Sequence, residues 1–447
     1  MRTVDLRDAH LSRSDITAKL PRITSDIDDA LITARQLIDN VIDSGEDAIR
    51  EQTLAFDGVS NHSIVVPASH FDDALASLDN DLRSAILESI RRVREASTAG
   101  VPPERKVTVA PGASITQRWL PVERVGLYVP GGKAVYPSSV VMNVVAAQVA
   151  GVSSIAIASP PQRNHGGRVH PTILATAALL GITEVYAMGG AGAIGAFAYG
   201  IPQLELEPVR VITGPGNVFV AAAKRLVRGV VGIDSEAGPT EILIIADETA
   251  NPSLIAADLV SQAEHDELAS AVLVTTSPAL VEAVERELLN YSSRTTHRHR
   301  VEVALSGDQS AFVVVPTLDV AIMVSNLYAP EHLEVHTQHP HELVPRLVNA
   351  GAIFLGQTTP VSLGDYLAGS NHVLPTAGQA AFSSGLGAYT FLRAQQVVEY
   401  DEDALREVRA HIRVFADDEN LPAHADAVDA RFESASRPNS TDSENED

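Results

Sequence analysis

The sequence predicts an α/β fold built on two mainly parallel sheets, and three observations predict it. Apolar runs of five or six residues alternate with helical stretches from Val125 onward, the pattern of βαβ units. A second series of the same kind begins at Glu241. Hydrophobic residues make up 45% of the 447-residue chain and charged residues 20%, so a sizeable core can be buried. Aromatics are only 4%, which leaves Val, Ile, Leu and Ala to fill that core.

Residues 1–20 read as an N-terminal arm with one strand-like piece at 4–6. A first amphipathic helix starts at Ser25/Asp26 and sets Ile27, Leu31, Leu37 and Val41 on one face; a second spans 72–96. Strands follow at 125–129, 154–158, 184–188 and 209–213, with helices over 138–150, 171–180 and 218–227. The second series places strands at 241–246, 271–275, 311–315 and 352–355. Beyond 375 the chain is rich in Ala, Gly and Ser, then helical over 402–414 and 422–432. The resulting architecture is two Rossmann-like α/β domains with an N-terminal helical arm and a C-terminal helical segment. Residues 21–112 together with 240–375 form the first domain and 113–239 the second. Residues 376–435 form the C-terminal segment, and 436–447 a disordered acidic tail.

Composition narrows the function. A net charge of -24, from 33 Lys+Arg against 57 Asp+Glu, disfavours nucleic acid, which needs clustered cations. With no cysteine the chain has no disulfide scaffold, no Cys-ligated zinc and no thiol nucleophile. No apolar run of about 18 residues suggests a membrane span. The N-terminus lacks the apolar core of a signal peptide, so a soluble, cytoplasmic protein is expected.

Several segments can carry chemistry. Gly190, Gly192 and Gly195 satisfy G-x-G-x-x-G after a strand, which admits a phosphate cradle or tight helix–sheet packing. Packing is preferred, since no acidic residue ends a strand about twenty positions on. Thr213-Gly-Pro-Gly-Asn217 closes another strand, where ligands collect in open sheets, or is an ordinary βα turn. Gln262 and His265 are three apart and are expected on one face of a helix capped by Asn251, as ligands or as surface groups. Adjacent Glu331 and His332 follow Pro330, whose turn admits two readings: both side chains aimed into one cleft, as a water activator and a base respectively, or, preferred on these residues alone, a surface Glu and a structural His. Asp365, Asn371 and His372 lie in a small-residue loop, and Glu419 and His424 near the C-terminus; taken singly, each reads as structural.

Together, GLYVPGGKAVYPSSVVMN (126–143), TGPGN (213–217), GIDSEAGPTE (232–241), SQAEHDE (261–267), YAPEHLE (328–334), GDYLAGSNHVLPT (364–376) and LPAH (421–424) resemble the histidinol dehydrogenase family. The resemblance implies oxidation of L-histidinol to L-histidine via bound L-histidinal with two NAD consumed, one zinc per site, and a homodimer that exchanges its C-terminal segment. It implies zinc held by Gln262, His265, Asp365 and, from the other subunit, His424, an all-N/O set. Glu331 and His332 fall on the acid–base pair. Thr240, His372 and Glu419 fall on substrate contacts, to which the zinc ligands and His332 also belong. Tyr128 and Asn217 fall on dinucleotide contacts. The first domain would then carry metal and catalysis, and the second the dinucleotide.

One departure stands out. Where the family usually reads G-G-A-Q-A, Gly192 replaces the glutamine that contacts the dinucleotide, with an expected loss of about 1 kcal/mol in NAD binding. Thr240, where Ser is common, keeps its hydroxyl. The rival readings are a relative that oxidises another primary alcohol, a non-catalytic zinc-binding paralogue, and a zinc hydrolase.

Overall fold

The computed structural model describes residues 1–8, 12–22, 27–131, 135–236 and 238–433. The Ser25/Asp26 helix start and the acidic tail lie outside the described residues. The strands are β1 (Arg2–Asp5), β2 (Arg105–Ala110), β3 (Ala113–Pro121), β4 (Arg124–Tyr128), β5 (Ser154–Ser159), β6 (Val185–Ala187) and β7 (Val211–Thr213). They continue as β8 (Gly232–Ile233), β9 (Glu241–Ala246), β10 (Ser270–Thr275), β11 (Ala311–Val314), β12 (His332–His336), β13 (Ala352–Leu355) and β14 (Leu392–Tyr400).

The fold is mixed α/β with parallel sheets. One sheet has five strands in the order β6-β5-β4-β7-β8, and another has six in the order β1-β11-β10-β9-β12-β13; their pairings are parallel. Apart from β1, both follow one doubly wound scheme. The order reverses between β4 and β7 in the first sheet and between β9 and β12 in the second. Every residue of β9, β10 and β12 is buried, as expected of parallel strands covered on both faces. Among the described residues no helix is long and apolar enough to cross a membrane.

The chain divides into two compact units. The larger holds both parallel sheets; the smaller joins Pro102–Leu120 to the chain from Leu392. In the smaller unit the β2–β3 hairpin pairs with β14, and helices Glu402–Asp418 and Pro422–Glu433 pack together through Arg409 and Arg413 on Asp429. The expected boundary at 112/113 falls inside this hairpin. Strand β14 falls in the stretch before 402 where no element is expected, because its burial is too slight to leave an alternating apolar pattern.

Two further expectations are corrected. The helix expected over 72–96 is two helices, Ala68–Ser77 and Asn80–Ala99, because the Asp79 side chain accepts from the Asp81 and Leu82 amides and starts a new helix. The N-terminal helices were grouped with the six-stranded sheet. Instead Ile27–Ser44 shares its core, through Ala30, Ala34, Ile38 and Val41, with Ile194, Phe197 and Val220 beside the five-stranded sheet.

Candidate active site

The amino ends of β9 and β12 lie side by side, with His332 in register with Ile242. Glu331, just before β12, is buried; its Oε2 accepts from the Thr240 hydroxyl at 2.5 Å and the Glu241 amide at 2.8 Å. Burial raises the Glu331 pKa, against the opposing pull of His332 and of these two donors. The same Glu241 presents its carbonyl to His332 Nδ1 at 3.0 Å. A carbonyl only accepts, so Nδ1 carries the proton and Nε2 is the basic nitrogen of the neutral ring. Glu331 Oε2 stands 3.5 Å from that Nδ1. His332 is thus the first residue of a strand, and strand pairing aims it rather than a turn at Pro330.

Thr240 ties this pair to Gln262. The Gln262 Nε2 donates to Thr240 Oγ1 at 2.6 Å, and Gln262 Oε1 is buried with no hydrogen-bond partner. The helix carrying Gln262, Pro252–Ala263, starts at the Asn251 cap as expected. It ends before His265, which follows in a tight turn whose amide donates to the Gln262 carbonyl at 3.2 Å. The expected common helical face is therefore replaced by a helix end and the turn after it. His265 Nε2 lies 3.9 Å from Asp365 Oδ2, and burial lowers its pKa while Asp365 opposes the shift.

Asp365 belongs to the short helix Val361–Tyr366, and its carbonyl accepts from His372 Nδ1 at 3.0 Å. The other His372 nitrogen, Nε2, is 3.1 Å from the Ser139 hydroxyl and so accepts from it. Burial lowers the His372 pKa. Ser139 sits on helix Pro137–Ala150, whose Asn143 accepts from the Thr213 hydroxyl at 2.6 Å. One helix therefore connects the His372 loop to the Thr213–Asn217 turn.

That turn lies at the carboxyl end of β7, beside β4 and at the point of strand reversal. Gly214 has φ +120° and passes so close to Tyr128 that a Cβ would stand 2.0 Å from the Tyr128 carbonyl. The Gly214 amide donates to Asp234 Oδ2 at 2.8 Å and its carbonyl accepts from Lys224 Nζ at 3.1 Å; Lys224 and Asp234 form a buried ion pair. Asn217 caps helix Val218–Val227 through Oδ1. The Tyr128 hydroxyl accepts from the Gly190 amide at 3.2 Å, and burial pushes the phenol up to about 12.

Gly190 opens helix Gly190–Tyr199, so the glycine motif lies within a helix rather than in a loop. A Cβ on Gly195 would meet Ile38 at 3.3 Å, and one on Gly192 would meet Gln52 Oε1 at 2.1 Å. The motif serves helix–helix packing against the N-terminal helices, the packing alternative in a different layer from the helix–sheet contact expected.

Glu419 and His424 belong to the smaller unit and are exposed, with Val414, Phe415 and Leu421 also exposed nearby in sequence. The sequence reading missed the double use of the Glu241 main chain, the Ser139 contact and the Lys224–Asp234 pair. Main-chain roles leave no side-chain signature. Ser139 and Asp234, however, fall inside segments the reading had already singled out.

A family model described as histidinol dehydrogenase matches residues 20–432. The chain is 58% identical over 433 residues to the histidinol dehydrogenase of Leifsonia xyli subsp. xyli, covering 97% of this chain and 99% of that one. It is 54% identical over 436 residues to that of Mycolicibacterium smegmatis, covering 97% and 98%. A crystal structure of histidinol dehydrogenase from Elizabethkingia anophelis aligns with a TM-score of 0.90 at 30% identity, covering 98% of this chain and 99% of that one.

Proposed function

The chain belongs to the histidinol dehydrogenase family, and from that premise we propose that it oxidises L-histidinol to L-histidine, the last step of histidine biosynthesis, in two NAD-dependent oxidations through bound L-histidinal. The observation that carries this reading is the connected set Gln262–Thr240–Glu331, with His332 fixed by Glu241.

His332 accepts the substrate hydroxyl proton at Nε2, because Nδ1 is committed to the Glu241 carbonyl. Glu331 acts in the second oxidation by taking a proton from the water that attacks the bound aldehyde. Its buried carboxylate is kept available for this by the Thr240 and Glu241 donors. Glu331 and Asp365 give the pocket negative charge, which suits a cationic amino alcohol. His372 steadies the Asp365 main chain and is itself oriented by Ser139.

The residues fit a zinc ion. Gln262 Oε1 is a buried acceptor without a partner, and the His265–Asp365 pair adds a nitrogen and an oxygen donor. In this reading Gln262, His265 and Asp365 hold the metal together with His424 from a second copy, which also brings Glu419. The exposed Val414, Phe415 and Leu421 near those two residues support such a partner. Bound zinc supplies an anchor that orients the substrate. Tyr128 and Asn217 fall to the dinucleotide side, at the strand reversal of the five-stranded sheet, and Gly192 is assigned to the same role from the helix after β6.

The test follows NADH formation with histidinol as substrate. Two equivalents per histidinol are expected, with activity lost to a chelator and restored by zinc. No turnover with histidinol, alongside turnover of another primary alcohol, overturns the reading.

A further inference from the structure

Residues two apart on a strand share a face, so His332, Glu334 and His336 of β12 line up on one side. The proposed reaction uses only the first. Glu334 and His336 are 0% and 3% exposed. Facing them is Asp258, one turn before Gln262 on helix Pro252–Ala263. The two elements that supply His332 and Gln262 therefore also supply this second cluster, further toward the carboxyl end of β12.

The cluster has donors without partners. Glu334 Oε1 accepts from the Val361 amide at 2.9 Å; Oε2 meets no donor from the chain, a hydrogen bond to Asp258 needs a proton held between the two carboxyls, and neither nitrogen of His336 has a partner. His336 Nε2 and Glu334 Oε2 are 3.2 Å apart, within ion-pairing reach but off the angle a hydrogen bond needs. One donor atom from each of Asp258, Glu334 and His336 lies within 4.8 Å of the other two. A tetrahedral site with bonds of roughly 2.0–2.2 Å has edges of about 3.3–3.6 Å, so the Nε2–Oε2 pair already stands close to one polyhedron edge. Burial and Glu334 push Asp258 up to about 8, with no basic side chain among the influences on it. A buried carboxylate pair with an imidazole and no cation is costly unless a proton or a metal neutralises it. The carboxyl ends of β9 and β12 also flank the strand reversal of the six-stranded sheet, the position where such sheets bind ligands.

We propose that Asp258, Glu334 and His336 form a second divalent-metal site, of the zinc type, separate from Gln262, His265 and Asp365. The mixed carboxylate and imidazole donors suit a borderline ion such as Zn2+, with solvent completing the coordination from the half-buried Asp258 side. The ion clamps β12 to helix Pro252–Ala263 and thereby fixes the spacing of His332 and Gln262.

The test uses the full-length protein, stripped with chelator and titrated with ZnCl2 at about ten micromolar, a concentration that selects for sites of structural-zinc affinity. Crystals grown from the same sample are measured at the zinc edge. Two zinc equivalents per chain are expected, with an anomalous peak among the three side chains. In His336→Gln, and in His336→Leu as a volume-filling second variant, one equivalent and that peak are lost. In His265→Ala the peak remains, and zinc still raises the melting temperature. No peak at the cluster, or a zinc count unchanged by His336→Gln, overturns the proposal and leaves a shared proton as the neutralising species. Two equivalents retained in His265→Ala would instead count against the catalytic-zinc reading alone.

Discussion

Replacing Thr240 with Val keeps the shape of the side chain and deletes the hydroxyl that links Gln262 to Glu331. Two bonds go together: the 2.6 Å donation from Gln262 Nε2 and the 2.5 Å donation to Glu331 Oε2. A buried amide left without an acceptor costs about 1–3 kcal/mol, and a hydrogen bond to a charged group is worth about 1.5–3 kcal/mol. The second loss falls on the ionised form of Glu331, whose pKa burial already raises. The Thr240→Val carboxyl must therefore titrate higher still, and less of it is ionised at neutral pH. At about 1.4 kcal/mol per tenfold, kcat should fall roughly 10–100-fold. The discriminating assay compares NADH formed from histidinol with NADH formed from histidinal across pH. In the proposed reaction aldehyde oxidation needs Glu331, so it should fall further, with its acid limb displaced upward; Thr240→Ser should restore both. If Thr240→Val stays within about twofold of the parent on both substrates and keeps the same acid limb, Thr240 does not connect the two groups.

Glu241 has its carboxyl pushed from 4.5 up to about 8, chiefly by burial and against the opposing effect of Arg22. The folded state thus holds the proton more tightly than the unfolded chain. That stability is full below about pH 4.5 and is lost as pH rises through about 8, by at most roughly 5 kcal/mol. Urea melts of Glu241→Gln should lack this slope and exceed the parent at pH 8.5. Asp234→Asn strips the partner from buried Lys224, with an expected loss of about 3–5 kcal/mol in chemical denaturation and a higher KM for NAD as the Gly214 turn loosens. Gly192→Gln alone forces Gln52 aside and should lose about 1–3 kcal/mol by thermal melt; with Gln52→Ala the strain is relieved, and NAD affinity should then rise. Gly214→Ala puts a Cβ on the Tyr128 carbonyl at φ +120°, so at least about 3 kcal/mol is expected to be lost, read by denaturation.

Much of this fold is legible because parallel strands buried on both faces write continuous apolar runs. The runs at 241–246 and 271–275 fall on β9 and β10, and helix 218–227 matches Val218–Val227. The same logic fails where burial is partial: β14 and β2 are mostly exposed, β3 is largely half-buried, and all three lack the signal. It fails again at 78–79, where apolar period continues across a break that one aspartate cap creates. For the candidate site, motif residues mark which side chains to examine, and Gln262, His265, Thr240, Glu331 and His332 gather around β9 and β12. The donors that tune them are less visible. The Glu241 amide and carbonyl serve Glu331 and His332 whatever the side chain at that position, so no residue type announces them.

The placement of the proposed acid–base pair departs from the general rule for open sheets, and local chemistry accounts for it. Ligands in such sheets collect at carboxyl ends, where loops lead into helix starts suited to anions. In the proposed reaction the five-stranded sheet follows that rule with Tyr128 and the Thr213–Asn217 turn. In the six-stranded sheet, Glu331 and His332 stand at the amino ends of β9 and β12. There the first amide of β9 is free of the strand ladder, and Glu331 accepts from it at 2.8 Å. A strand's amino end thus supplies a donor that favours a carboxylate, and a carboxylate favours a cationic substrate. Helix Pro137–Ala150 then joins the two ends, with Ser139 on His372 and Asn143 on Thr213 one turn apart. In the proposed reaction this division gives the anionic dinucleotide and the cationic alcohol opposite ends of two similarly wound sheets, with hydride passing where those ends meet.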